Sequence, residues 1–524
     1  MKTESTIPIL DIPDFNNRIL ASYNDGTAEY GLDADISVSR SLVPAGTGAF
    51  RDFSYIAPDI PVFDADACVG CMECVTECPD TAILAKAIPT NVLDENFKSL
   101  NGSPYTPWVK EQWATNKKFY DAPLKQNKQP AKFGIFVDPE KCKGCGECID
   151  ACGDHLALKM VVKEKDTVPK YNFGMDFFRS LGPTPADYIN ERVLPDMMLA
   201  DEAMLFTGGA GSCMGCGEVT ALRMMLAATG FVYGKESIGL VAATGCNTVY
   251  GATYPYNPFL VPWSNSLFEN VSTFAMGVRA RWDQKGWQDK KLWAIGGDGA
   301  MLDIGFQALS RLFMSGMNIN VIILDTQVYS NTGGQASSGT FTGQAAKMSA
   351  FGSDSHGKSE RRKEIANIAM AHPNVFVAQT TAAHPNHFYK AIMEANEHPG
   401  PSVVNVYTSC QPEHGIADNK SYDQAKLAVD CRVFPIFTFD PKKGKYISDK
   451  LSLQGNPAKN KDWFVNAKSG EQFDFIHFAK TEGRFSRNFD KDGTPDPLLH
   501  KAQEDRLDNW HVLQELAGIK WGKE

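Results

Sequence analysis

The sequence predicts an α/β protein: a parallel-sheet domain joined to a smaller α+β module. Three observations predict it. Residues 292–335 read LWAIGGDGAMLDIGFQALSRLFMSGMNINVIILDTQVYSNTGGQ. They give a short apolar strand (Leu292–Ile295), a Gly-Gly-Asp-Gly turn, an amphipathic helix and a second strand (Ile319–Leu324), which together make a strand–helix–strand unit. Four apolar runs each end in a chemically unusual residue, namely Cys246, Asp298, Thr326 and Cys410. In a parallel sheet such ends share one edge, where ligands sit. Finally, eight cysteines fall into two runs of C-x2-C-x2-C-x3-C spacing, a pattern that holds [4Fe–4S] clusters.

Bulk properties narrow the class. With 524 residues the chain has room for two to four domains. A formal charge of −10 argues against a nucleic-acid partner. The opening MKTESTIPILDIPDF lacks the apolar core of a secretion signal, and no apolar run is long enough to span a bilayer. Thirteen cysteines are too sparse for a disulfide scaffold, and their tight spacings suit ligands. The expected compartment is reducing, the cytoplasm of an anaerobe or facultative anaerobe.

Residues 1–60 mix polar and apolar positions without helical periodicity and read as an extended arm packed on a neighbour. Residues 61–165 carry Cys68, Cys71, Cys74 and Cys78, followed by Pro79, and then Cys142, Cys145, Cys148 and Cys152, followed by Gly153. In two-cluster ferredoxins the fourth cysteine of each run serves the other cluster. That rule groups Cys68, Cys71, Cys74 and Cys152 on one centre, and Cys142, Cys145, Cys148 and Cys78 on the other. Zinc prefers two C-x2-C pairs held apart, so this crowding disfavours it. An insertion at about 85–132, rich in Asn, Lys, Pro and aromatics, binds a partner, covers a cluster edge or makes a solvated excursion with a short helix.

A linker (166–201) opens the sheet domain, 166–430. Its Gly-rich loop TGGAGSCMGCGE (207–218) carries Cys213 and Cys216 and leads into a helix, Val219–Ala228. Strands are expected at Ile238–Ala243, ending at Cys246, and at Ser402–Val406, ending near Cys410. Glu218 either touches a cofactor or serves the dipole of its helix. Lys347 and Lys358 lie in a Gly/Ser-rich segment that reads as a solvated loop. A charged helix (Ser359–Ala371) and an amphipathic one (Asn386–Glu397) belong to the outer layer. The last region, 431–524, is polar, closes in a helix (Pro497–Leu516) and reads as a packing or subunit-contact segment; Cys431 is structural.

Around Asp298, Gly297 and Gly299 allow close backbone approach, and an Asp beside a helix start suits Mg²⁺ on a diphosphate. Gly297-Asp298-Gly299, followed some thirty residues later by Asn331, resembles the thiamine diphosphate signature. The extension DTQVYSNTGGQ (325–335) is similar to the pyruvate:ferredoxin oxidoreductase family, a 2-oxoacid oxidoreductase class. Specifically, the chain resembles the C-terminal half, or β-type subunit, with a fused two-cluster ferredoxin domain. The resemblance implies a thiamine diphosphate-binding fold in which Asp298, Thr326 and the Val328 carbonyl hold Mg²⁺. Asn331 then lies beside diphosphate and substrate as the catalytic candidate. It also implies a third [4Fe–4S] cluster, on Cys213, Cys216, Cys246 and Cys410.

The implied activity is reversible, coenzyme A-dependent oxidative decarboxylation of pyruvate to acetyl-CoA and CO₂. Electrons pass through three clusters to ferredoxin or flavodoxin. Alternatives are 2-oxoglutarate or another 2-oxo acid, or an electron-transfer subunit without thiamine chemistry of its own. The family's pyrimidine-binding and coenzyme A-binding domains have no counterpart motif here. An obligate α-type partner subunit is therefore expected, in an assembly of two catalytic units.

Overall fold

The computed structural model describes residues 10–39, 42–100, 102–350 and 356–520. The first nine positions of the expected arm and residues 351–355 of the Gly/Ser-rich segment lie outside the described residues. The fold is α/β, centred on an eight-stranded sheet. Its order from one edge is Leu451–Ser452, Phe437–Phe439, Phe376–Thr381, Ser402–Tyr407, Asn320–Asp325, Lys291–Gly297, Ile238–Ala243 and Trp263–Ser266. Phe437–Phe439 pairs antiparallel with both of its neighbours, and the six strands from Phe376–Thr381 onward are parallel.

The inner strands are apolar throughout because both faces are covered, as parallel sheets require. Successive side chains point to opposite faces, so each strand feeds two cores. Leu240, Trp293, Ile295, Ile322, Leu324 and Val404 pack under the Gly217–Tyr233 and Pro385–Glu397 helices. Val241, Leu292, Ala294, Val321, Ile323 and Val403 pack against the Val271–Gln284, Phe306–Phe313 and Ile365–Met370 helices. The Pro497–Leu516 helix adds Trp510 and Leu513 to this second core. Its start is set by Asp496, whose side chain accepts from Leu499 N–H at 2.9 Å, with Pro497 at the first position, a standard helix opening.

Register places the sheet's chemistry. Tyr407 pairs with Asp325, and Gly297 with Leu324. The residues that follow each strand therefore emerge along one edge, from Thr244 through Asp298 and Thr326 to Thr408.

The cluster module has Asp59–Phe63 paired antiparallel with Leu158–Val162. The Ile83–Pro89 and Ala131–Val137 strands pair beside it. Helices Glu73–Glu77 and Glu147–Cys152 carry the later cysteines of each run.

Several sequence expectations change here. The insertion is not a solvated excursion. Its ends prolong the two paired strands, and Leu93, Leu100, Val109 and Trp113 form a core with Phe136, Met175, Phe177 and Phe178. It also covers a cluster loop: Phe119 stacks on Phe133 at 5.0 Å, and Lys118 Nζ donates to Gly70 O at 3.1 Å. The expected linker contains a helix, Thr167–Ser180, whose apolar face fills that same core. The arm is helical over Ile12–Asn24 rather than extended. Phe15, Ile19 and Leu20 pack on Tyr254 and Tyr256 of this same chain. The charged helix shortens to Ile365–Met370 because the side chains before it are drawn apart. Arg361 goes to Asp505 and Asp508, Arg362 to Asp325, and Lys363 to Leu302 O. Among the described residues no helix is long and apolar enough to cross a membrane.

A buried amide ties the sheet's lower end to both helices on its face. Asn396 Oδ1 accepts from Trp293 Nε1 at 3.2 Å and from Asn320 Nδ2 at 3.1 Å, while its Nδ2 donates to Thr229 Oγ1 at 3.1 Å. Replacing it orphans two buried donors. Asn396→Leu is expected to lower the urea midpoint by the equivalent of about 2–4 kcal/mol, read by tryptophan fluorescence; an unchanged midpoint would contradict this network.

Candidate functional site

Asp298 follows the Lys291–Gly297 strand and is fully buried. Its Oδ1 accepts from Thr326 Oγ1 at 3.3 Å, and Thr326 Oγ1 lies 3.1 Å from Val328 O. One carboxylate, one hydroxyl and one carbonyl oxygen thus converge, a hard-oxygen set of the kind Mg²⁺ takes. Burial, and next the Asp325 charge, push the Asp298 carboxyl well above its ordinary range. A divalent cation supplies the charge that would keep it ionised, so the residues fit such an ion.

The supports of this corner come from three directions. Ser337 Oγ donates to Asp298 Oδ2, and Lys358 Nζ steadies the serine loop by donating to Thr340 O at 2.9 Å. Lys358 is buried, and that burial lowers its pKa to about 8; it is not the solvated side chain its Gly/Ser-rich surroundings suggest. Asp325, just before Thr326, is paired to the buried Arg362 at 2.6 Å. His414 Nε2 lies 2.9 Å from Thr326 O, and its Nδ1 faces Cys410 N–H at 3.4 Å. Nδ1 therefore accepts and Nε2 donates. Burial holds this imidazole well below its usual pKa, hence neutral. Gly299 has a steric reason: a Cβ there would run into the Tyr329 ring. Gly297 is uncrowded by the protein itself, since a Cβ there would meet only Leu324 O at 3.7 Å.

Two cavities open from this corner. One, of about 400 Å³, is lined by Gly297, Asp298, Gly299, Thr326, Val328 and Asn331 together with Glu218 and Cys246. The other, of about 630 Å³, is lined by Cys213, Cys216, Cys246 and Cys410. Glu218, Cys246, Thr326, Ser330 and Asn331 border both. Glu218 is buried, its carboxyl pushed up to about 7 by burial, and its Oε2 has no hydrogen-bond partner. Such an orphaned oxygen suits a donor brought by a ligand. Asn331 stands exposed at the rim.

The other cysteines gather in two further cavities. One, of about 320 Å³, is lined by Cys68, Cys71, Cys74 and Cys152. The second, of about 330 Å³, is lined by Cys78, Cys142, Cys145 and Cys148. These are the two sets that exchange of the fourth cysteine produces. Burial drives the thiols of Cys74, Cys145, Cys148 and Cys216 well above their normal range. Thiolates at such depth need metal charge beside them, which a cluster would bring. Cys431 lies apart, buried beside Phe434 and Phe478.

Buried cations hold the module to the sheet domain. Lys143 pairs with Asp80 at 2.7 Å and donates to Ala210 O and Ser212 O, both at 2.9 Å. It thereby links the second cysteine run to the loop of Cys213. Arg223 donates to Val75 O and Thr76 O, both at 3.1 Å, and to Cys78 O. Neither cation was evident from sequence, since a lone Lys or Arg in a helix or loop carries no signal of burial. Ser337, His414 and Tyr250, which sits against Glu218, were missed for the same reason.

Comparison with known proteins agrees with the motifs. Residues 243–406 match the C-terminal TPP-binding domain of thiamine pyrophosphate enzymes, and residues 60–85 and 135–154 each match a 4Fe–4S binding domain. The chain is 28% identical to a pyruvate-flavodoxin oxidoreductase of Rhodospirillum rubrum, covering 88% of this chain and 42% of that protein. It is 27% identical to a probable pyruvate-flavodoxin oxidoreductase of Escherichia coli, over 97% of this chain and 45% of the relative. To the pyruvate:ferredoxin oxidoreductase of Moorella thermoacetica it is also 27% identical, over 84% and 41%. The resemblance read from the motifs is thus borne out, and the chain spans less than half the length of these relatives.

The crossed cysteine sets have a spectroscopic consequence. Cys152→Ser should perturb the same reduced-cluster EPR signal as Cys68→Ser, and Cys78→Ser the same signal as Cys142→Ser. Perturbation of one common signal by Cys78→Ser and Cys68→Ser would overturn the exchange.

Proposed function

We propose that this chain is the thiamine- and cluster-binding part of a 2-oxoacid:ferredoxin oxidoreductase acting on pyruvate. In this reading Asp298, Thr326 and Val328 O hold Mg²⁺ against the diphosphate. Gly297 and Gly299 give it room, and Asn331 reaches the diphosphate and the substrate. Cys213, Cys216, Cys246 and Cys410 carry a third [4Fe–4S] cluster beside the two of the ferredoxin-like module. The observation that carries the reading is the wall common to the two cavities, formed by Glu218, Cys246, Thr326, Ser330 and Asn331. A group bound on one side of it would be separated from an electron acceptor on the other by these side chains alone.

Thiamine diphosphate supplies, when bound, the carbanion chemistry of 2-oxo acid decarboxylation. This chain's residues do the rest. Asp298, aided by Ser337, presents negative charge to the cation, while Thr326 and Val328 fix the loop that faces it. Glu218 offers a carboxyl that titrates near neutrality, suited to exchanging a proton with a polar group of the ligand.

A partner subunit carrying the pyrimidine-binding and coenzyme A-binding domains completes each site in this reading. Ferredoxin or flavodoxin takes the electrons, two catalytic units associate, and the compartment is the reducing cytoplasm that so many thiolates require. Pyruvate is preferred over 2-oxoglutarate because the relatives named for a substrate are named for pyruvate.

The chain co-purified with its partner is expected to reduce a viologen dye with pyruvate and coenzyme A. The isolated chain should not, and 2-oxoglutarate should be a poorer substrate. Asp298→Asn should weaken thiamine diphosphate binding by about 100-fold or more while iron stays near about twelve per chain. Turnover by the isolated chain, or undiminished binding by Asp298→Asn, would defeat the proposal.

A further inference from the structure

Gln327 stands between Thr326 and Val328, and its backbone is left-handed, at φ +59°. A side chain makes that conformation costly, because Cβ crowds a neighbouring carbonyl oxygen; glycine alone adopts it freely. Gln327 is fully buried, and hydrogen bonds engage each of its polar groups. Its N–H donates to Asp325 Oδ1 at 3.2 Å, and its side-chain amide donates to Asp325 O and Oδ1. Its carbonyl accepts from Thr340 Oγ1 at 2.6 Å and from Gln344 Nε2 at 3.2 Å. The remaining oxygen, Oε1, accepts from Arg484 Nη1 at 2.9 Å.

Arg484 comes from the region beyond residue 430, where the sequence shows no catalytic constellation. It is buried, paired through Nε to Glu482 at 2.5 Å, and its own carbonyl accepts from Ala345 N–H at 2.9 Å. Glu482 in turn accepts from the Tyr407 hydroxyl at 3.2 Å, and Tyr407 ends the strand beside Asp325. Between them, Gly483 N–H donates to Gly415 O at 3.2 Å. That turn follows His414, which holds Thr326 O. A three-residue segment thus braces the Thr326–Val328 loop from beneath at two points.

We propose that Glu482–Arg484 is a positioning element for the cation-holding loop. Arg484 keeps Gln327 left-handed, which sets Thr326 Oγ1 and Val328 O at their spacing opposite Asp298. The inference rests on the reading that those oxygens hold Mg²⁺ and a diphosphate, and it assigns Arg484 no contact with either.

The test uses the full chain with its partner and reads Mg²⁺-dependent thiamine diphosphate binding by equilibrium dialysis, with cluster absorbance as a control for folding. Gln327→Ala keeps the costly conformation and loses two supports; it should raise the Mg²⁺ needed for half-saturation about tenfold. Gln327→Gly removes the cost and should stay within about threefold of the native chain. Arg484→Met should shift half-saturation about tenfold alone, yet little in the Gln327→Gly background, because the two changes act on one contact. Native-like saturation by Gln327→Ala or Arg484→Met, or equal losses for Gln327→Ala and Gln327→Gly, overturns the proposal. Should Arg484→Met fail to keep its clusters, the alanine–glycine contrast at 327 decides. A native chain that binds no thiamine diphosphate overturns the functional reading, and this inference falls with it.

Discussion

A carboxylate sealed from water has to be given either a proton or a positive charge, and that demand shapes the centre of this molecule. Asp298 is fully buried and stands near a second buried carboxylate, Asp325. The protein answers only one of the two with its own cation: Arg362 pairs with Asp325. Asp298 accepts hydrogen bonds from the Ser337 and Thr326 hydroxyls, and Arg362 acts on it only through its charge. Neutral donors soften the burial of a charge without cancelling it, so Asp298 is the member of the pair that an outside cation would suit. The asymmetry is more telling than the GDG turn itself, since such turns are common.

The same economy governs how the cluster module is seated. Lys143 and Arg223 are both buried, and both spend their donors mostly on backbone carbonyls next to cysteine loops. Breaking a buried charged contact of this kind costs about 3–5 kcal/mol. The two side chains therefore fix the distance between the Cys213 loop, the Cys142–Cys148 run and Cys78 more firmly than apolar packing would. The Gly217–Tyr233 helix supports this doubly, carrying Glu218 at the two-cavity wall and Arg223 under the helix that ends at Glu77.

Sequence reasoning reached what period and spacing encode. Strand Ile238–Ala243 and helix Pro497–Leu516 fall where the apolar pattern and the Asp-Pro start place them. Asp298, Thr326 and Cys246 come together because parallel register makes strand ends neighbours. Errors arose where tertiary contacts override local pattern. The 85–132 insertion, rich in Asn, Lys, Pro and aromatics, gave no sign of a core, yet its Leu93, Leu100, Val109 and Trp113 meet Phe136 and Phe178 and form one. Residues 359–364 carry a helical composition, but three basic side chains pull toward acidic or carbonyl partners on different elements. Gln327 gave no signal at all, because a positive φ at a non-glycine residue is invisible until its supports are seen.

Loops that carry function are normally the least stable parts of a fold, and this one departs from that tendency for a physical reason. A cation held by one carboxylate, one hydroxyl and one carbonyl gains little from each ligand unless their geometry is fixed beforehand. The Thr326–Val328 stretch is therefore tied to Asp325 on one side, to Thr340 and Gln344 on another, and to the far C-terminal region through Arg484. Each tie ends on a group that is itself fully bonded or ion-paired, so the ordering entropy is met during folding rather than at binding. A region whose composition marks it as mere packing thus becomes part of the site by bearing on its backbone. Its chemistry is mechanical: it keeps two oxygens where the third already is.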